Sequence, residues 1–151
     1  KDVFEAYKEV FDVIANKIFF LGKSGSAHSI KLAMNLQISL LALALAEGIT
    51  LTKKAGFDPE KFLEILNSTY FKTGMSENKA YKMIKDEFEP TFTLKNLKKD
   101  LDTITAAAKD FGAILPITER ANEIYNDALD AGFGEIDYTG ILAYIKKLSE
   151  D

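Results

Sequence analysis

Apolar residues recur every three or four positions along most of the chain, which is the period of an amphipathic α-helix. This spacing predicts helices over residues 2–16, 24–54, 58–66, 75–88, 94–111, 117–131 and 141–148. The apolar run of residues 17–21 interrupts the pattern and fits either one short strand or an extended connector. No second strand pattern is evident. The chain is therefore predicted to be all-α, a bundle of six or seven helices.

The ends of the predicted helices carry residues that start or stop helices. Asp58-Pro59 has the order of an N-cap followed by a proline in the first turn. Gly56 and Gly112 follow predicted helices, where a glycine commonly ends them. Asp137 is an N-cap candidate for the last helix, and Gly48 marks a possible bend inside the longest one.

The longest helix, residues 24–54, is apolar on nearly all sides, as expected of a buried central helix. One polar stripe interrupts it, within a wedge of about 80° on a helical wheel; its members are His28, Lys31, Asn35 and Ser39. A buried ammonium costs free energy unless it is paired, so a lysine here either extends to water or faces a polar cleft. Periodicity alone favours extension to water.

A cleft position would give Lys31 a chemical role. Desolvation lowers the pKa of a lysine toward neutrality, which lets one side chain both donate and accept a proton. Asn35 lies one turn later on the same face and offers a donor and an acceptor to a substrate oxygen. The charged run 98–100 is a second candidate, although such a run is usually the solvated face of a helix. His28 is more typical of a helix start than of a ligand.

Composition narrows the possible functions. The net charge of −4 and the pI near 5.1 argue against nucleic-acid binding, because the lysines are interleaved with acids. Cysteine is absent and His28 is the only histidine, so no metal site is expected. The longest apolar run is shorter than the roughly 20 residues that span a bilayer, and no signal-peptide pattern is present. These features predict a cytoplasmic protein without a membrane partner, and 151 residues suit one domain.

Several short motifs follow one another in a fixed order. The first half contains Gly22 and Gly25, Lys31 and Asn35, Ala46-Glu47-Gly48, and Ala55-Gly56 with Asp58-Pro59. The second half contains Phe92, Lys99-Asp100-Leu101, Leu115-Pro116, Gly132-Phe133-Gly134 and Asp137-Tyr138-Thr139. This set resembles the C-terminal helical domain of the β-hydroxyacid dehydrogenase family, which includes 3-hydroxyisobutyrate dehydrogenase, semialdehyde and glyoxylate reductases and, more distantly, 6-phosphogluconate dehydrogenase. Ala27 stands where the family usually has a further glycine, and Thr139 replaces a commoner serine.

The resemblance implies an NAD- or NADP-dependent oxidoreductase that transfers hydride between the nicotinamide and a small β-hydroxyacid or semialdehyde. Residues 1–151 would be a single all-α substrate and dimerisation domain. Its N-terminal Rossmann half would be missing, since the sequence has no βαβ pattern and no G-x-G-x-x-G turn. The chain is therefore expected to be inactive alone and, in the intact enzyme, to form a homodimer or higher homo-oligomer.

The same resemblance implies roles for particular residues. Lys31 would be the catalytic lysine, which protonates the carbonyl oxygen during reduction, and Asn35 would hold the substrate. Lys99, Asp100 and Phe92 would lie on the cofactor side of the cleft, with Lys99 also offering charge to the substrate. The alternative is a free-standing helical dimerisation or interaction module that has lost catalysis. A helical domain of the ketopantoate or 6-phosphogluconate class is a third possibility, and the chain is small for the latter.

Overall fold

A computed structural model describes residues 1–150. The helices in that range are α1 (Asp2–Ala6), α2 (Lys8–Ile14), α3 (Ser26–Lys54), α4 (Pro59–Asn67), α5 (Gly74–Asn78), α6 (Ala80–Ile84), α7 (Leu94–Phe111), α8 (Pro116–Asp130), a 3₁₀ turn (Tyr138–Gly140) and α9 (Ile141–Leu148). Within the described residues the only strand-like pairing is one isolated antiparallel bridge between Thr93 and Asp137. The predicted all-α fold is confirmed. The chain divides into two compact units, Lys1–Lys31 and Leu32–Asp151, which are described separately.

The first unit contains two short helices where one helix over residues 2–16 is predicted. Tyr7 lies between α1 and α2 with φ −106° and ψ 12°, outside helical geometry. A continuous helix would separate Phe4 and Phe11 by about 10.5 Å along its axis. The break allows their rings to stack with centroids 5.4 Å apart. Residues 17–21 then run without helix or strand, so the connector interpretation of this segment is the one observed in the chain.

The long predicted helix is present as α3, and it is buried along part of its surface. Its buried residues run from Leu32 to Ile49. Met34 and Leu51, in contrast, are 62% and 72% exposed, so the prediction of a helix buried on all sides is wrong at these positions. The helix continues through Gly48, where a Cβ would lie 3.1 Å from the ring of Phe62. Glycine therefore makes room for a neighbouring ring, and the predicted bend does not interrupt the helix.

By length and composition, α3 would be able to cross a membrane. It has 29 residues, and an 18-residue window within it has a mean hydropathy of 1.6. The sequence argument that every apolar run is too short is therefore wrong by this criterion. The core helix of a water-soluble protein meets the same criterion, and 39% of that window is buried inside the protein. The expectation of no membrane partner stays a prediction.

The helix predicted over residues 75–88 is divided into α5 and α6 and ends earlier than predicted. Asp86 has a φ of 57°, the left-handed conformation that ends helices. Glu87 N donates to Lys82 O at 3.0 Å, and Asp86 N donates to Met83 O at 3.1 Å. These two bonds form a Schellman motif, which satisfies the last carbonyl groups of α6. Asp86 therefore ends α6 after Ile84, whereas the sequence predicted that the helix would continue to residue 88, before Pro90.

Among the other predicted helix ends, those at Asp58 and Gly112 agree with the structure and the one at Asp137 differs. Asp58 Oδ1 accepts a hydrogen bond from Glu60 N at 2.9 Å at the start of α4. Thr93 caps α7, and Gly112 ends it with a φ of 68°. Asp137 caps the 3₁₀ turn that leads into α9 rather than α9 itself. The predicted segments therefore correspond to nine helices among the described residues because two of the seven segments are each divided.

The core of the second unit contains buried side chains from every helix from α3 to α9, and within it α8 packs against both α7 and α9. Tyr125 of α8 is fully buried, and its hydroxyl donates to the carbonyl of Ser39 on α3 at 3.1 Å. Burial raises the pKa of this hydroxyl above its usual range, so Tyr125 is a neutral donor. This bond fixes α8 against α3 at the level of the polar stripe.

Candidate functional site

The polar stripe of α3 passes from exposed to buried positions. His28 and Lys31 are exposed, Asn35 is partly buried and Ser39 is fully buried. Ser39 Oγ donates to the carbonyl of Leu36 at 2.8 Å, so its hydroxyl is satisfied within the helix. Ser39 is therefore a structural residue. Lys31 and Asn35 remain as candidates for chemistry, one helical turn apart in α3.

Asn35 is joined to Asp100, the carboxylate that the motif comparison placed on the cofactor side. Asn35 Nδ2 on α3 donates to Asp100 Oδ2 on α7 at 2.7 Å, and both side chains are partly buried. An ionised carboxylate only accepts hydrogen bonds, so it selects the NH₂ end of the amide. The Oδ1 atom of Asn35 is therefore directed away from Asp100. This contact therefore holds Asn35 Oδ1 in a fixed orientation, as an acceptor that does not face Asp100.

The two lysines next to Asp100 have different surroundings. Lys98 is largely buried along its stem and pairs with both carboxylate oxygens of Asp102, at 2.8 and 2.9 Å. Asn122 Nδ2 donates to the same carboxylate at 3.1 Å. Burial would raise the pKa of Asp102, but these donors lower it below its usual value. Lys98 is thus engaged in a structural pair.

Lys99 is exposed and makes no ion pair with any residue in the range 1–150. Of the two lysines it is therefore the one with an ammonium group available to an anionic ligand. The structure places Lys99 beside Asp100 in α7 but records no contact between Lys99 and Asn35. Of the predicted site residues, the structure therefore brings Asn35 and Asp100 into contact, through the amide of one and the carboxylate of the other.

Phe92 lies just before α7, in a loop fixed by a buried carboxylate. Its ring is partly buried and meets Tyr138 edge-on, with centroids 6.1 Å apart. Its backbone N–H donates to Asp137 Oδ2 at 3.4 Å, and its carbonyl accepts from Tyr138 N at 2.9 Å. The backbone bond between Leu94 N and Ile136 O, at 2.9 Å, continues this contact. Phe92 is therefore held on both sides by the loop before α9.

Asp137 is the centre of that loop, and its network was not foreseen from the sequence. Its side chain is 2% exposed. Oδ2 accepts from Thr91 N at 3.1 Å, from Thr91 Oγ1 at 2.8 Å and from Lys79 Nζ at 3.4 Å, in addition to Phe92 N. Oδ1 accepts from Thr139 N at 3.2 Å and from Thr139 Oγ1 at 2.7 Å. The sequence offered one signal, the N-cap position, which accounts for the Thr139 bonds alone.

The electrostatics of Asp137 follow from these donors. Burial would raise the pKa of the carboxyl group, but the hydrogen bonds from Thr139 and Thr91 lower it below its usual value. Asp137 therefore remains ionised. The same burial, together with the charge on Asp137, raises the pKa of the neighbouring Tyr138. We assign this cluster to holding the Phe92 loop rather than to proton transfer.

Concave regions of the second unit lie elsewhere. A groove of about 540 Å³ between α3 and α8 is largely apolar, and none of the predicted site residues lines it. Among residues 1–150 no group of three or more histidine, cysteine or acidic side chains could hold a metal ion. The partly buried pair Asn35–Asp100 therefore lies outside this groove, which supplies no walls around it for a small substrate.

The fold and the site define an all-α domain in which a long helix presents a lysine and an amide at helical spacing and a second helix orients that amide. The family model described as "NAD-binding of NADP-dependent 3-hydroxyisobutyrate dehydrogenase" matches residues 25–145. Because this match covers most of the chain, the protein belongs to that family. The resemblance seen in the ordered motifs is confirmed.

Similar proteins extend the comparison. The chain is 29% identical over 146 residues to glyoxylate/succinic semialdehyde reductase 1 of Arabidopsis thaliana, covering 97% of this chain and 50% of that protein. It is 30% identical over 139 residues to the cytokine-like nuclear factor N-PAC of Aedes aegypti, covering 92% of this chain and 25% of that protein. A solved structure of 3-hydroxyisobutyrate dehydrogenase from Salmonella typhimurium has a TM-score of 0.87 at 22% identity, covering 93% of this chain and 50% of that one.

The comparisons also show what share of each relative's length this chain covers. The chain spans about half the length of the reductase it matches and about a quarter of the nuclear factor. The structural similarity, at 22% identity, confirms the fold. NAD(P) is the cofactor of the family by its own description.

Proposed function

We propose that this chain is the substrate-binding and catalytic half of an NAD(P)-dependent oxidoreductase that interconverts a small β-hydroxyacid or semialdehyde with its partner in the other oxidation state. The observation that carries the proposal is the family match over residues 25–145. Inside that range, the Asn35–Asp100 hydrogen bond supplies an oriented amide next to the lysine of the motif. The names of the similar reductases suggest glyoxylate and succinic semialdehyde as first substrates to test.

The chemistry required of this chain is proton transfer and positioning. A nicotinamide cofactor bound to the whole protein would supply the hydride during reduction and would accept it during oxidation. As the carbonyl carbon gains a hydride, its oxygen develops negative charge, and the ammonium of Lys31 donates the proton that completes the hydroxyl group. In the reverse direction the neutral amine takes that proton back. Asn35 holds the substrate oxygen or carboxylate, and Asp100 acts as a positioning residue for Asn35.

An acid–base lysine functions best in a site from which water is excluded. Lys31 is exposed in this chain, so its own unit supplies no such enclosure. We infer that the enclosure comes from an N-terminal nucleotide-binding domain of the whole protein. The difference in length between the chain and its relatives supports this inference, since half of the matched reductase lies outside the aligned region.

The residues present fit the edge of a dinucleotide site rather than its centre. No βαβ unit exists among the described residues to cradle a pyrophosphate on a helix N-terminus. The exposed ammonium of Lys99 suits an anionic group, and the ring of Phe92, held by its loop, suits a flat apolar surface. We therefore propose Lys99, Asp100 and Phe92 as the contribution of this chain to the cofactor side of the cleft.

The proposal is tested with the longest polypeptide that contains this chain. Oxidation of NADH and NADPH is measured with glyoxylate and with succinic semialdehyde. Lys31→Ala is expected to lower kcat by about 10²–10⁴-fold, the usual contribution of general acid–base catalysis. Lys53→Ala, an exposed lysine at the other end of α3, is the matched control and should stay within two-fold of the parent. A kcat for Lys31→Ala within a few-fold of the parent contradicts the assigned role.

A second candidate function is an interaction module without catalysis. The similarity to a protein named as a nuclear factor favours keeping it, because that name describes no reductase. The two candidates differ in dinucleotide binding, which calorimetry measures directly. A polypeptide that binds neither NADH nor NADPH at millimolar concentration, and yet forms a defined complex, would support the interaction module.

Two further properties belong to this proposal. We propose a homodimer or higher homo-oligomer, supported by exposed apolar side chains on α3 and by the apolar groove between α3 and α8. Sedimentation equilibrium of the longest polypeptide tests it, and a monomer at micromolar concentration would contradict it.

We also propose a cytoplasmic location, supported by the absence of cysteine. Fluorescence microscopy of a tagged protein checks the location.

A further inference from the structure

Lys79, at the start of α6, is joined to three residues that contact or adjoin Phe92. Its Nζ atom donates to Thr91 Oγ1 at 2.8 Å and to Asp137 Oδ2 at 3.4 Å. The same ammonium lies over the ring of Tyr138, 5.6 Å from the ring centroid. The Lys79 side chain is 27% exposed, so water reaches it only in part. These contacts place a positive charge behind the loop that carries Phe92.

The carboxylate of Asp137 needs this positive charge. Asp137 is 2% exposed, and an ionised group in such a position costs free energy unless it is paired and hydrogen-bonded. Among the described residues, Lys79 is its only ion-pair partner. Lys79 also donates to the Thr91 hydroxyl, which in turn donates to Asp137 at 2.8 Å, and consecutive hydrogen bonds of this kind strengthen each other. Removal of the ammonium would therefore weaken the bonds that hold residue 91, next to Phe92.

The ring of Tyr138 provides a second connection between Lys79 and Phe92. A cation within about 6 Å of an aromatic ring centroid is attracted to the face of that ring. Tyr138 in turn meets the ring of Phe92 edge-on, with centroids 6.1 Å apart. The backbone N–H of Tyr138 also donates to the carbonyl of Phe92 at 2.9 Å. Lys79 therefore restrains Phe92 through the Tyr138 ring as well as through the Asp137 carboxylate.

A neighbouring lysine offers a comparison. Lys82 of α6 lines the same cavity as Lys79, a space of about 160 Å³ that Asp137 also lines. Lys82 is exposed and forms no ion pair with any residue in the range 1–150. It has the same charge as Lys79 without the same contacts. A substitution of Lys82 therefore separates the effect of net charge from the effect of the contacts of Lys79.

We propose that Lys79 is a positioning residue for the cofactor side of the cleft, which fixes Phe92 by pairing with Asp137 and by lying over the ring of Tyr138. This role rests on the proposed function, which places Phe92 beside the dinucleotide. Lys79 acts through other residues, so its loss should weaken dinucleotide binding and leave proton transfer by Lys31 intact. A residue that only stabilised the fold would change the amount of folded protein and leave the KM of that protein unchanged.

Steady-state kinetics of the longest polypeptide that contains this chain test the proposal. Lys79→Met removes the charge and is expected to raise the KM for NADH or NADPH by about fivefold or more, with kcat within about two-fold of the parent. Lys79→Arg keeps a cation and should recover most of the loss. Lys82→Met is the matched control and should leave both constants within about two-fold. A KM for Lys79→Met within about two-fold of the parent overturns the proposal, and so does an equal KM for the methionine and arginine variants.

A double-mutant cycle tests whether Lys79 acts through Phe92. In the Phe92→Ala background, Lys79→Met should raise the KM by less than about two-fold, because the ring that Lys79 positions is absent. The full fivefold rise in that background, about the same as in the parent, overturns the proposal. If Lys79→Met does not fold, Thr91→Val takes its place, since it removes the hydroxyl that lies between Lys79 and Asp137. Thr91→Val should also raise the KM, and an unchanged KM overturns the proposal.

Hydrogen exchange separates this role from the proposed function. The amide of Tyr138, which donates to the Phe92 carbonyl, should exchange about tenfold or more faster in Lys79→Met than in the parent or in Lys82→Met. A parent that binds neither NADH nor NADPH contradicts the oxidoreductase, and faster exchange in Lys79→Met would still support the restraint of Phe92 by Lys79. A parent that binds a dinucleotide, with exchange and KM unchanged in Lys79→Met, supports the oxidoreductase and contradicts the role of Lys79.

Discussion

Asn35 of α3 donates a hydrogen bond to Asp100 of α7 at 2.7 Å, although the two residues lie 65 positions apart in the sequence. The bond joins the helix that carries Lys31 to the helix that carries Lys99. It also fixes which end of the Asn35 amide faces outward. This long-range contact between two partly buried polar side chains is the clearest indication in the fold of a pre-organised site.

The first prediction concerns this pair. Asp100→Ala should lower the free energy of unfolding by about 1 kcal/mol, because it leaves a partly buried amide donor without its partner. Asp100→Asn should cost less than half as much, since the new amide oxygen can accept the same bond. Urea denaturation measures both. Asp110→Ala is the control, because Asp110 is exposed on the same helix and should change stability by less than 0.5 kcal/mol.

The positioning role of Asp100 has its own readout in the kinetics. In the longest active polypeptide, Asp100→Ala should raise KM by about tenfold, equivalent to about 1.4 kcal/mol of lost substrate binding, with a smaller change in kcat. Asp100→Asn should restore most of the loss. Equal losses for the alanine and asparagine variants would show that the charge of Asp100 matters and that the orientation of Asn35 does not.

The sequence was sufficient for most of the fold because its signals are local. Asp58 and Gly112 bound their helices as predicted from the sequence. The exceptions arose where a residue acted against its usual preference. Asp86 ends α6 in a left-handed conformation that glycine normally adopts, and Tyr7 interrupts a helix whose hydrophobic spacing is continuous. Both depend on contacts that periodicity does not report.

The site was less accessible to sequence reasoning, since its contacts are long-range. Spacing on α3 selected Asn35, and the ordered motifs selected Asp100, but neither indicated a hydrogen bond between them. The Asp137 network brings together Lys79, Thr91 and Thr139, which belong to three separate segments. For Lys31, in contrast, periodicity alone favoured extension to water, and its side chain is exposed.

The second prediction is that the carboxylate of Asp137 holds the loop before α7. Asp137→Asn replaces an acceptor by a donor beside the Thr91 or Thr139 groups, so several buried donors lose their partner. The free energy of unfolding should fall by about 3 kcal/mol. Chemical denaturation followed by circular dichroism measures the loss. Asp110→Asn should change stability by less than 0.5 kcal/mol. A loss below 1 kcal/mol for Asp137→Asn would contradict the network.

The third prediction is the pH dependence that this network produces. The folded protein holds the pKa of Asp137 below its usual value. Its stabilisation is therefore fully present above the unfolded pKa of about 3.9 and is lost as pH falls through the lower folded pKa, because the unfolded state is protonated first. The difference in unfolding free energy between the parent and Asp137→Asn should shrink as pH falls from 6 to 3.

Thr139→Val provides the control for that pH effect. It removes the hydroxyl that donates to Asp137 Oδ1 at 2.7 Å and keeps the shape of the side chain. The pKa of Asp137 should rise toward its usual value, so the loss of stability on acidification should become smaller than in the parent. Denaturation curves at several pH values give the comparison. If the parent and Asp137→Asn differ by the same amount at every pH, Asp137 does not carry this dependence.

The last prediction tests the close packing of the loop that leads into α9. A Cβ on Gly140 would lie 2.7 Å from Cγ1 of Ile136 and closer still to its Cδ1, so the isoleucine side chain would have to move. The φ of Gly140 is −63°, which suits any residue, and the cost of Gly140→Ala is therefore steric. We expect about 2 kcal/mol of destabilisation, as for other overpacked sites. Gly74→Ala, with no atom within 4 Å of the new Cβ, should be neutral or stabilising.

A double-mutant cycle distinguishes this steric contact from a general sensitivity of the loop. In the Ile136→Ala background the obstructing side chain is absent, so Gly140→Ala should then cost less than about 0.5 kcal/mol. Urea denaturation of the four proteins gives the coupling energy. An unchanged cost in the Ile136→Ala background would mean that Gly140 is required for a reason other than its contact with Ile136.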